Sequence, residues 1–400
     1  MRPKNAARKL LCAAALALVA ASAQASILFT PHLSEYAPLA EGSYADHTLV
    51  YTSIRKVYDA NGQVIPLGAP FIPGGDSVDA LLLLARYLWI GNQFADTRVP
   101  LLSTHKQIFR VIATAGWQQA SGGAVDRSRL FGLTSGGSGI GDVYVLGGIY
   151  THEHRWGPLQ WNGLFSNTLK LPVGEYDTKA LLNNGTHYWT TIPQIAAHAE
   201  LYNRLIVDGT FAWQFNGRND SPAYGGMTPT DPADVRNFEV NAAWKFSEKW
   251  FVDFGFFRRQ SVGPNKFGKV TATFTSPQPA TTACAALGIP AAQCSLTNDF
   301  RLVPVPGERQ DNGIYQNLLS SSIYYVYRTS SVVDFRVSRP ISGRGSQFPM
   351  DYDVALYSDP TQTPIPGTRQ HVVLNGVQEA AAIPASPLFE LRFVYLFWAP

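Results

Sequence analysis

Apolar and polar residues alternate with a period of two along many segments of the chain. In residues 237–247, one face carries Phe238, Val240, Ala242, Trp244 and Phe246, and the other carries Asn237, Glu239, Asn241, Lys245 and Ser247. Residues 204–216, 250–259 and 389–397 repeat the pattern. Such alternation predicts β-strands with one apolar and one polar face. Their lengths suit tilted strands that cross a bilayer, which need about 9–11 residues.

The same criterion predicts about twelve strands. They lie near 47–57, 78–91, 106–118, 140–152, 157–171, 187–202, 204–217, 235–247, 249–262, 315–328, 331–339 and 388–398. Two of them deviate from the pattern, because residues 81–84 are continuously apolar and Pro193 interrupts the sixth strand. A proline inside a strand removes a donor from the ladder, so we expect a bulge there.

The connections differ in length according to their position in the order. Those after odd-numbered strands are long and rich in Gly, Pro, Asn and Asp: 58–77, 119–139, 172–186, 218–234, 263–314 and 340–387. Those after even-numbered strands are short, as at Asn203, 247–249 and 329–330, and only 92–105 is longer. This sorting is typical of an all-β, transmembrane, antiparallel up-and-down barrel with both termini in the periplasm. A soluble β-sandwich, the alternative fold, would not sort its loops in this way.

The tryptophans follow the same division. Six fall at predicted periplasmic strand ends, namely Trp89, Trp156, Trp161, Trp244, Trp250 and Trp398. Trp117, Trp189 and Trp213 fall toward the other ends. Aromatic girdles at both membrane interfaces are expected in such barrels.

The first 25 residues have the features of a cleaved secretory signal peptide. Basic residues precede an apolar run over 10–21, and a small-x-small site follows at 23–25. About 12 apolar residues are too few to span a bilayer as a helix. We therefore expect a signal peptide over 1–25, a periplasmic segment over 26–46 that can enter the lumen, and a barrel over 47–400 in the outer membrane of a Gram-negative bacterium.

Composition agrees with a lipid-facing surface. Four of the 32 basic residues lie in the signal peptide, so 28 remain against 29 acidic residues and the net charge becomes −1. Nucleic acid is therefore not an expected partner. Charged residues make up only 15% and aromatic residues 12%, and no later apolar run is long enough for a membrane-spanning helix. The expected partners are outer-membrane lipid and, during biogenesis, the barrel assembly machinery.

Cys284 and Cys294 lie close together in a segment rich in Pro and Ala. In an oxidising compartment they predict a short-loop disulfide with a structural role. No histidine accompanies them, so we expect neither a metal site nor a cofactor.

Alternation also predicts which charged residues face inward. The predicted inward set is Arg86, Arg110, Asp142, Lys170, His198, Glu200, Asp208, Glu239, Lys245, Asp253, Arg259, Asp334, Arg336, Glu390 and Arg392. These residues either pair across strands and fill the interior, or line a narrow polar path for a substrate. Twelve strands lie between a side-chain-filled eight-stranded barrel and an open porin, so a constricted pore is expected.

Several short motifs resemble a family of outer-membrane proteins described as involved in the meta-pathway of phenol degradation. They are Gly139-Ile140-Gly141-Asp142, the run 171–177 (LPVGEYD), Asn183-Asn184-Gly185, Tyr188-Trp189, the run 216–219 and Ala223-Tyr224-Gly225. The likeness spans residues 45–335, and long insertions near 268–300 and 340–387 depart from it. The resemblance implies a barrel that passes small, often aromatic or hydrophobic, molecules.

The segment around Glu175, Tyr176, Asp177 and Asn184 is rich in turn-forming residues. It either only shapes an extracellular loop, or folds over the pore mouth and selects substrates. Gly139 and Gly141 can also form a bulge in the strand. They are not a phosphate-binding loop, because no helical pattern and no Lys-Ser/Thr follow them.

Three functional classes remain. An outer-membrane channel or transporter for passive movement of small molecules fits the mixed-charge interior and the resemblance. A structural or ligand-binding barrel without an open pore is the alternative. A lipid hydrolase requires a nucleophile and a base on an outward face, and no histidine has that spacing. His198 and Glu200 share an inward face, and His152 and His154 flank a short turn.

Overall fold

The computed structural model describes residues 40–59, 61–67, 76–92, 105–122, 134, 136–180, 182–222, 229–267, 272–275, 299–304, 307–308, 313–328, 331–345, 351–358, 363–364, 370–373 and 383–398. Within these ranges, no helix has the length and apolar character needed to span a membrane. The predicted signal peptide, the segment 26–39 and both cysteines, Cys284 and Cys294, lie outside the described residues.

Twelve antiparallel strands form one closed barrel. They are β1 (Gly42–Ile54), β2 (Ser77–Gly91), β3 (Gln107–Ser121), β4 (Gly136–Ile140 and Val143–Tyr150), β5 (Leu159–Leu171), β6 (Thr190–Leu201), β7 (Leu205–Asn216), β8 (Asp234–Lys245), β9 (Trp250–Val262), β10 (Tyr315–Arg328), β11 (Ser331–Arg344) and β12 (Leu388–Trp398). Each strand pairs with its neighbours along the chain, and β12 pairs with β1 over ten residue pairs. The predicted fold class and strand number are confirmed.

Alternation assigns the two faces as predicted. On β12, Phe389, Leu391 and Phe393 are 36–45% exposed, whereas Glu390 and Arg392 are only 2% exposed. The apolar run of β2 divides in the same way: Leu81 and Leu83 face outward, and Leu82 and Leu84 are buried inside. A continuous apolar sequence here means that the inner wall is apolar at this point. The strand itself stays regular.

β1 and β11 extend furthest beyond their predicted ends. β1 begins at Gly42, five residues earlier, because Gly42–Asp46 continues the pairing with both β2 and β12. β11 continues past Pro340 to Arg344, and the register with β10 shifts at that proline. A bulge thus accommodates the missing donor.

The bulge predicted at Pro193 is not present. Its register with β5 is continuous, since Pro193 lies opposite Asn167 between regular neighbours. Pairing with β7 skips positions 192 and 193 and then resumes in the same register. The missing N–H therefore interrupts the pairing with β7 locally but does not shift the strand.

Tight turns connect neighbouring strands at one end of the barrel. Tyr202 and Asn203 both have positive φ values, 52° and 54°, between β6 and β7. Two consecutive left-handed residues form the type of hairpin turn that matches strand twist. His154–Trp156 adds a short strand against β5 near the turn after β4. The predicted turn at 329–330 lies outside the described residues.

The opposite end carries short sheets above the barrel. Lys56–Tyr58 pairs with Val64–Pro66 and with Ile383–Pro384. The other strands are Lys266–Phe267 with Gly307–Glu308, and Ala272–Thr275, Asp299–Pro304, Asp351–Ser358, Thr363–Pro364 and Gln370–Val373. Asp299–Pro304 pairs with Asp351–Ser358, so the two long insertions join in one sheet. The sequence predicts only loops there.

Aromatic side chains lie at both ends of the outer surface. Trp161, Trp244 and Trp250 are 39–48% exposed near the tight-turn end, and Trp156 is 81% exposed. Trp117 and Trp189 are 44% and 55% exposed near the other end. The two positions agree with interfacial girdles.

Candidate functional site: the barrel lumen and its mouth loop

The fifteen predicted inward residues all lie on the inner face of the barrel. Twelve are at most 9% exposed, and Glu200, Lys245 and Arg259 are half-buried. Arg110 and Glu390 are among the buried residues at 7% and 2%. Buried charges need partners, since an isolated charge in a low-dielectric interior is strongly destabilising.

One ionic chain crosses the junction where the barrel closes. Arg86 Nη1 on β2 lies 3.1 Å from Asp46 Oδ2 on β1, and Arg392 Nη1 on β12 lies 3.7 Å from the same oxygen. Arg392 Nε also donates to Asp334 Oδ2 on β11 at 2.6 Å. Sequence reasoning missed Asp46, because the predicted first strand began one residue later.

A second cluster centres on Arg336, which is 1% exposed. Its Nη2 lies 3.6 Å from Glu239 Oε1 and donates to Asn241 Oδ1 and Ser320 Oγ, both at 3.1 Å. The side chain therefore reaches from β11 to β8, past two intervening strands. Gly255 on β9 makes this possible, since a Cβ there would lie 2.1 Å from the Asn241 oxygen.

The inward histidine pairs with an aspartate on the neighbouring strand. His198 Nδ1 lies 2.6 Å from Asp208 Oδ1, and Glu200 binds Lys245 Nζ at 2.7 Å. The shared face of His198 and Glu200 thus does not form an acid–base pair. Tyr324 donates to Asp253 Oδ2 at 2.9 Å. Among the described residues, no group of three or more His, Cys, Asp or Glu is arranged to hold a metal ion.

Among the described residues, three apolar patches also line the inside. The inward charged residues predicted from the sequence did not indicate them. The first, here the β1–β3 patch, comprises Val50, Leu82, Leu84 and Leu388 with Ile112 packed against them. The others are Ile90, Ile108, Leu146, Tyr150, Leu164 and Ala196, and Ile206, Ala243 and Tyr324. The lumen wall is therefore part ionic and part apolar.

Residues 172–180 and 182–189, which we call the mouth loop, fold back onto the inner wall. Asp142 anchors them from a bulge in β4, where Ile112 opposes Tyr144 but Ala115 opposes Ile140. Its Oδ1 accepts from the Gly174 N–H at 3.1 Å. Its Oδ2 accepts from the N–H and the hydroxyl of Thr186 at 2.9 and 2.6 Å. One buried carboxylate thus holds both ends of the loop.

Glycines and an asparagine allow the loop to approach closely. Asn184 accepts from Gln118 Nε2 at 2.8 Å on the inner face of β3. A Cβ on Gly116 would lie 2.3 Å from Leu82, and one on Gly174 would lie 2.6 Å from the Gly141 backbone. The Gly-Ile-Gly-Asp and Asn-Asn-Gly motifs are therefore two halves of one docking contact.

The loop also reaches charged groups of the lumen. Lys170 binds the Thr186 hydroxyl, lies 3.9 Å from Asp142 and sits 3.7 Å above the ring of Tyr188. Burial raises the pKa of Tyr188 to about 12, against the opposing effect of the Arg259 charge. Arg259 belongs to β9, so a charge from a strand that pairs with neither β5 nor β6 also acts on the loop.

The remaining predicted mouth residues lie on the outer side of this loop. Tyr176 stacks on His187 with 4.9 Å between ring centroids and accepts from Asn219 Nδ2 at 3.5 Å. Glu175 and Asp177 are exposed, and the Asp177 carboxylate accepts from the Lys179 N–H at 2.8 Å. Their charges face solvent at this end of the barrel.

The sequence profile of one protein family matches residues 55–280. Its description is "Putative MetA-pathway of phenol degradation". The matched part contains the Gly-Ile-Gly-Asp bulge and the whole mouth loop. No sequence among the curated proteins matches this chain.

Several solved structures are similar to the chain to different degrees. An outer membrane channel from Pseudomonas putida F1 has a TM-score of 0.59 at 12% identity, over 92% of this chain and 100% of that one. A mutant of the monoaromatic hydrocarbon channel TodX has a TM-score of 0.36 at 9% identity, over 90% and 91%. The Pseudomonas putida toluene transporter TodX has a TM-score of 0.25 at 9% identity, over 88% of each chain.

Proposed function

We propose a function on the premise that the chain belongs to the family described as "Putative MetA-pathway of phenol degradation". It is an outer-membrane β-barrel, and we infer that it conducts small, weakly polar molecules, including aromatic ones, passively across that membrane. The docked mouth loop carries this proposal, because it narrows the lumen at one end to a path suited to small molecules.

The wall chemistry supports small, partly apolar solutes. The β1–β3 patch presents Val50, Leu82, Leu84 and Leu388 at the inner face, beside the docked Asn184. The transfer of an aromatic ring from water to such a surface is favourable in free energy. Charges of both signs elsewhere on the wall are paired, so no strong field excludes either ion sign.

A flux assay tests the proposal. Proteoliposomes containing the chain should take up phenol-sized aromatic solutes faster than protein-free liposomes, and faster than they take up sugars. Replacing Leu84 with Asn should lower the ratio of aromatic to sugar flux several-fold, because it makes the apolar patch polar. Thr168→Asn, at a buried inner position on β5, is the matched control and should keep the ratio.

The alternatives give different results in the same preparation. A barrel without an open pore would leave both fluxes at the protein-free level. A lipid hydrolase would release fatty acid from phospholipid in detergent, and our proposal predicts no release above background. Either result would contradict a passive channel.

A further inference from the structure

Arginines on the lipid-facing surface are confined to one sector of the barrel. In β8–β11 the outward positions include Arg236, Arg258, Arg339 and Arg344. The outward positions of β1–β6 and β12 that the structure describes contain no arginine or lysine, and Asp79 on β2 is the charged side chain there apart from His47. Arginines that served only as interfacial anchors would be distributed around the barrel.

The register places Arg236 and Arg344 on one face in a single row. Arg258 lies one same-face step deeper, opposite Phe238, and Arg339 lies two steps deeper, opposite Leu319. Trp213 pairs with Arg236, Arg236 with Gln260, Gln260 with Tyr315, and Tyr315 with Arg344. Residues that pair directly across strands point to the same side of a sheet. Three strand spacings separate Arg236 from Arg344, which is about 14 Å.

The row lies immediately above the apolar band. Phe238, Leu319 and Ile341 are 43%, 49% and 49% exposed just below it on β8, β10 and β11. The long connections adjoin these strand ends, so the row lies at the headgroup depth of the outer leaflet.

The sector has a surplus of positive charge. The guanidinium of Arg236 stacks on Trp213 at 4.2 Å, and Arg258 lies 5.1 Å from the Tyr315 ring and donates to Gln260. Neither forms an ion pair with a described carboxylate. Asp234 is the one acidic side chain on the described outward positions of β7–β11, and its Oδ1 accepts from the Asn216 N–H at 3.0 Å.

We propose that this surface binds the phosphorylated sugar headgroup of an outer-leaflet glycolipid of the lipid A type. Arginine forks recognise phosphate through paired hydrogen bonds, and the flanking Trp213 and Tyr315 rings suit sugar faces. The acyl chains would lie along Phe238, Leu319 and Ile341. A lipid with two separated phosphates matches a row with guanidinium groups at both ends. This inference does not depend on the proposed channel function.

Native mass spectrometry of the full chain in detergent tests the proposal. The probes are bisphosphorylated lipid A, its monophosphoryl form and phosphatidylglycerol. We expect binding to weaken in that order. The triple variant Arg236→Gln, Arg258→Gln and Arg344→Gln should weaken lipid A binding about a hundredfold, since each basic group at a membrane surface contributes roughly fivefold.

A second triple variant controls for the change in net charge. Arg155→Gln, Arg204→Gln and Arg218→Gln alter three exposed arginines outside the sector and should leave lipid A binding within twofold. Heat-modifiable gel migration reports that each variant is folded. Equal binding of lipid A and phosphatidylglycerol by the unaltered chain would overturn the proposal. So would unchanged binding in the first triple variant, or an equal loss in both.

Discussion

Asp142 is the residue on which the position of the mouth loop depends most. It is 2% exposed and its two oxygens accept three hydrogen bonds from Gly174 and Thr186. Hydrogen bonds to a charged group contribute about 1.5–3 kcal/mol each, which is more than neutral ones do. The bulge at Gly141-Asp142 aims this carboxylate away from the ladder and toward the loop.

Replacing Asp142 with Asn should release the loop. The amide keeps the size of the side chain, but it removes the charge and one acceptor, so local opening becomes easier by about 2 kcal/mol. Limited proteolysis with trypsin at exposed Lys179 should then proceed more than tenfold faster. Asp220→Asn, which breaks only an exposed ion pair with Arg218, should cleave at the original rate. Equal rates in the two variants would contradict the anchoring role.

Arg336 has a comparable importance for the barrel wall. Arg336→Met should destabilise the folded barrel by about 3–5 kcal/mol, because it leaves the Glu239 carboxylate buried without its cation. Urea unfolding in lipid vesicles measures this. Adding Glu239→Gln should recover part of the loss. Arg155→Met, in an exposed pair with Glu153, should cost less than about 1 kcal/mol, and a similar loss there would refute the argument.

At the scale of elements, barrel closure rests on the pairing of β1 with β12. Along both strands, outward apolar residues alternate with inward residues that include Asp46 and Arg392. The same register therefore turns the apolar residues to the lipid and brings the two buried charges together. A one-residue slip would turn Arg392 to the lipid and Leu391 into the lumen. That double cost fixes the register.

Cysteine cross-linking tests this register. In a background with Cys284→Ser and Cys294→Ser, the pair Leu49→Cys and Leu391→Cys should form a disulfide, because these residues lie directly opposite each other. Facing Cα atoms are about 4.5–5.5 Å apart, within the disulfide range. Leu49→Cys with Phe335→Cys, separated by one more strand, should remain reduced. A cross-link in the second pair alone would mean that the barrel closes differently.

The elements were predictable from the sequence to the extent that one face meets lipid. Phe389, Leu391 and Phe393 identify β12 without further information, since lipid demands apolar residues at every second position. The ends of β1 and β11 were not predictable, because Gly42–Asp46 is only weakly apolar and Pro340 normally ends a strand. At Pro193 the predicted bulge was wrong, since the strand tolerates the missing donor without one.

The site could be predicted only in part. Alternation identified Arg336 and Glu239 as inward, but their contact depends on Gly255 in an intervening strand. For the patch that contains Leu82 and Leu84, the only indication in the sequence was the continuous apolar run at 81–84. Likewise, the docking of Asn184 against Gly116 joins residues 68 positions apart, and no local pattern encodes such a contact.

At the scale of the whole molecule, the barrel combines a lipid-facing exterior with a lumen that its own loop partly fills. The twelve-stranded wall sets an intermediate diameter. The ionic clusters and the mouth loop then reduce the free cross-section from within. The outward arginine sector adds an asymmetric contact with the outer leaflet.

The central claim is that the mouth loop, held by Asp142, limits the passage of small molecules through the barrel. Single-channel recording in planar bilayers measures this most directly. The unaltered chain should give small, discrete conductance steps, and Asp142→Asn should give steps at least twofold larger or longer-lived. An absence of steps in both proteins, or identical steps in both, would contradict the account.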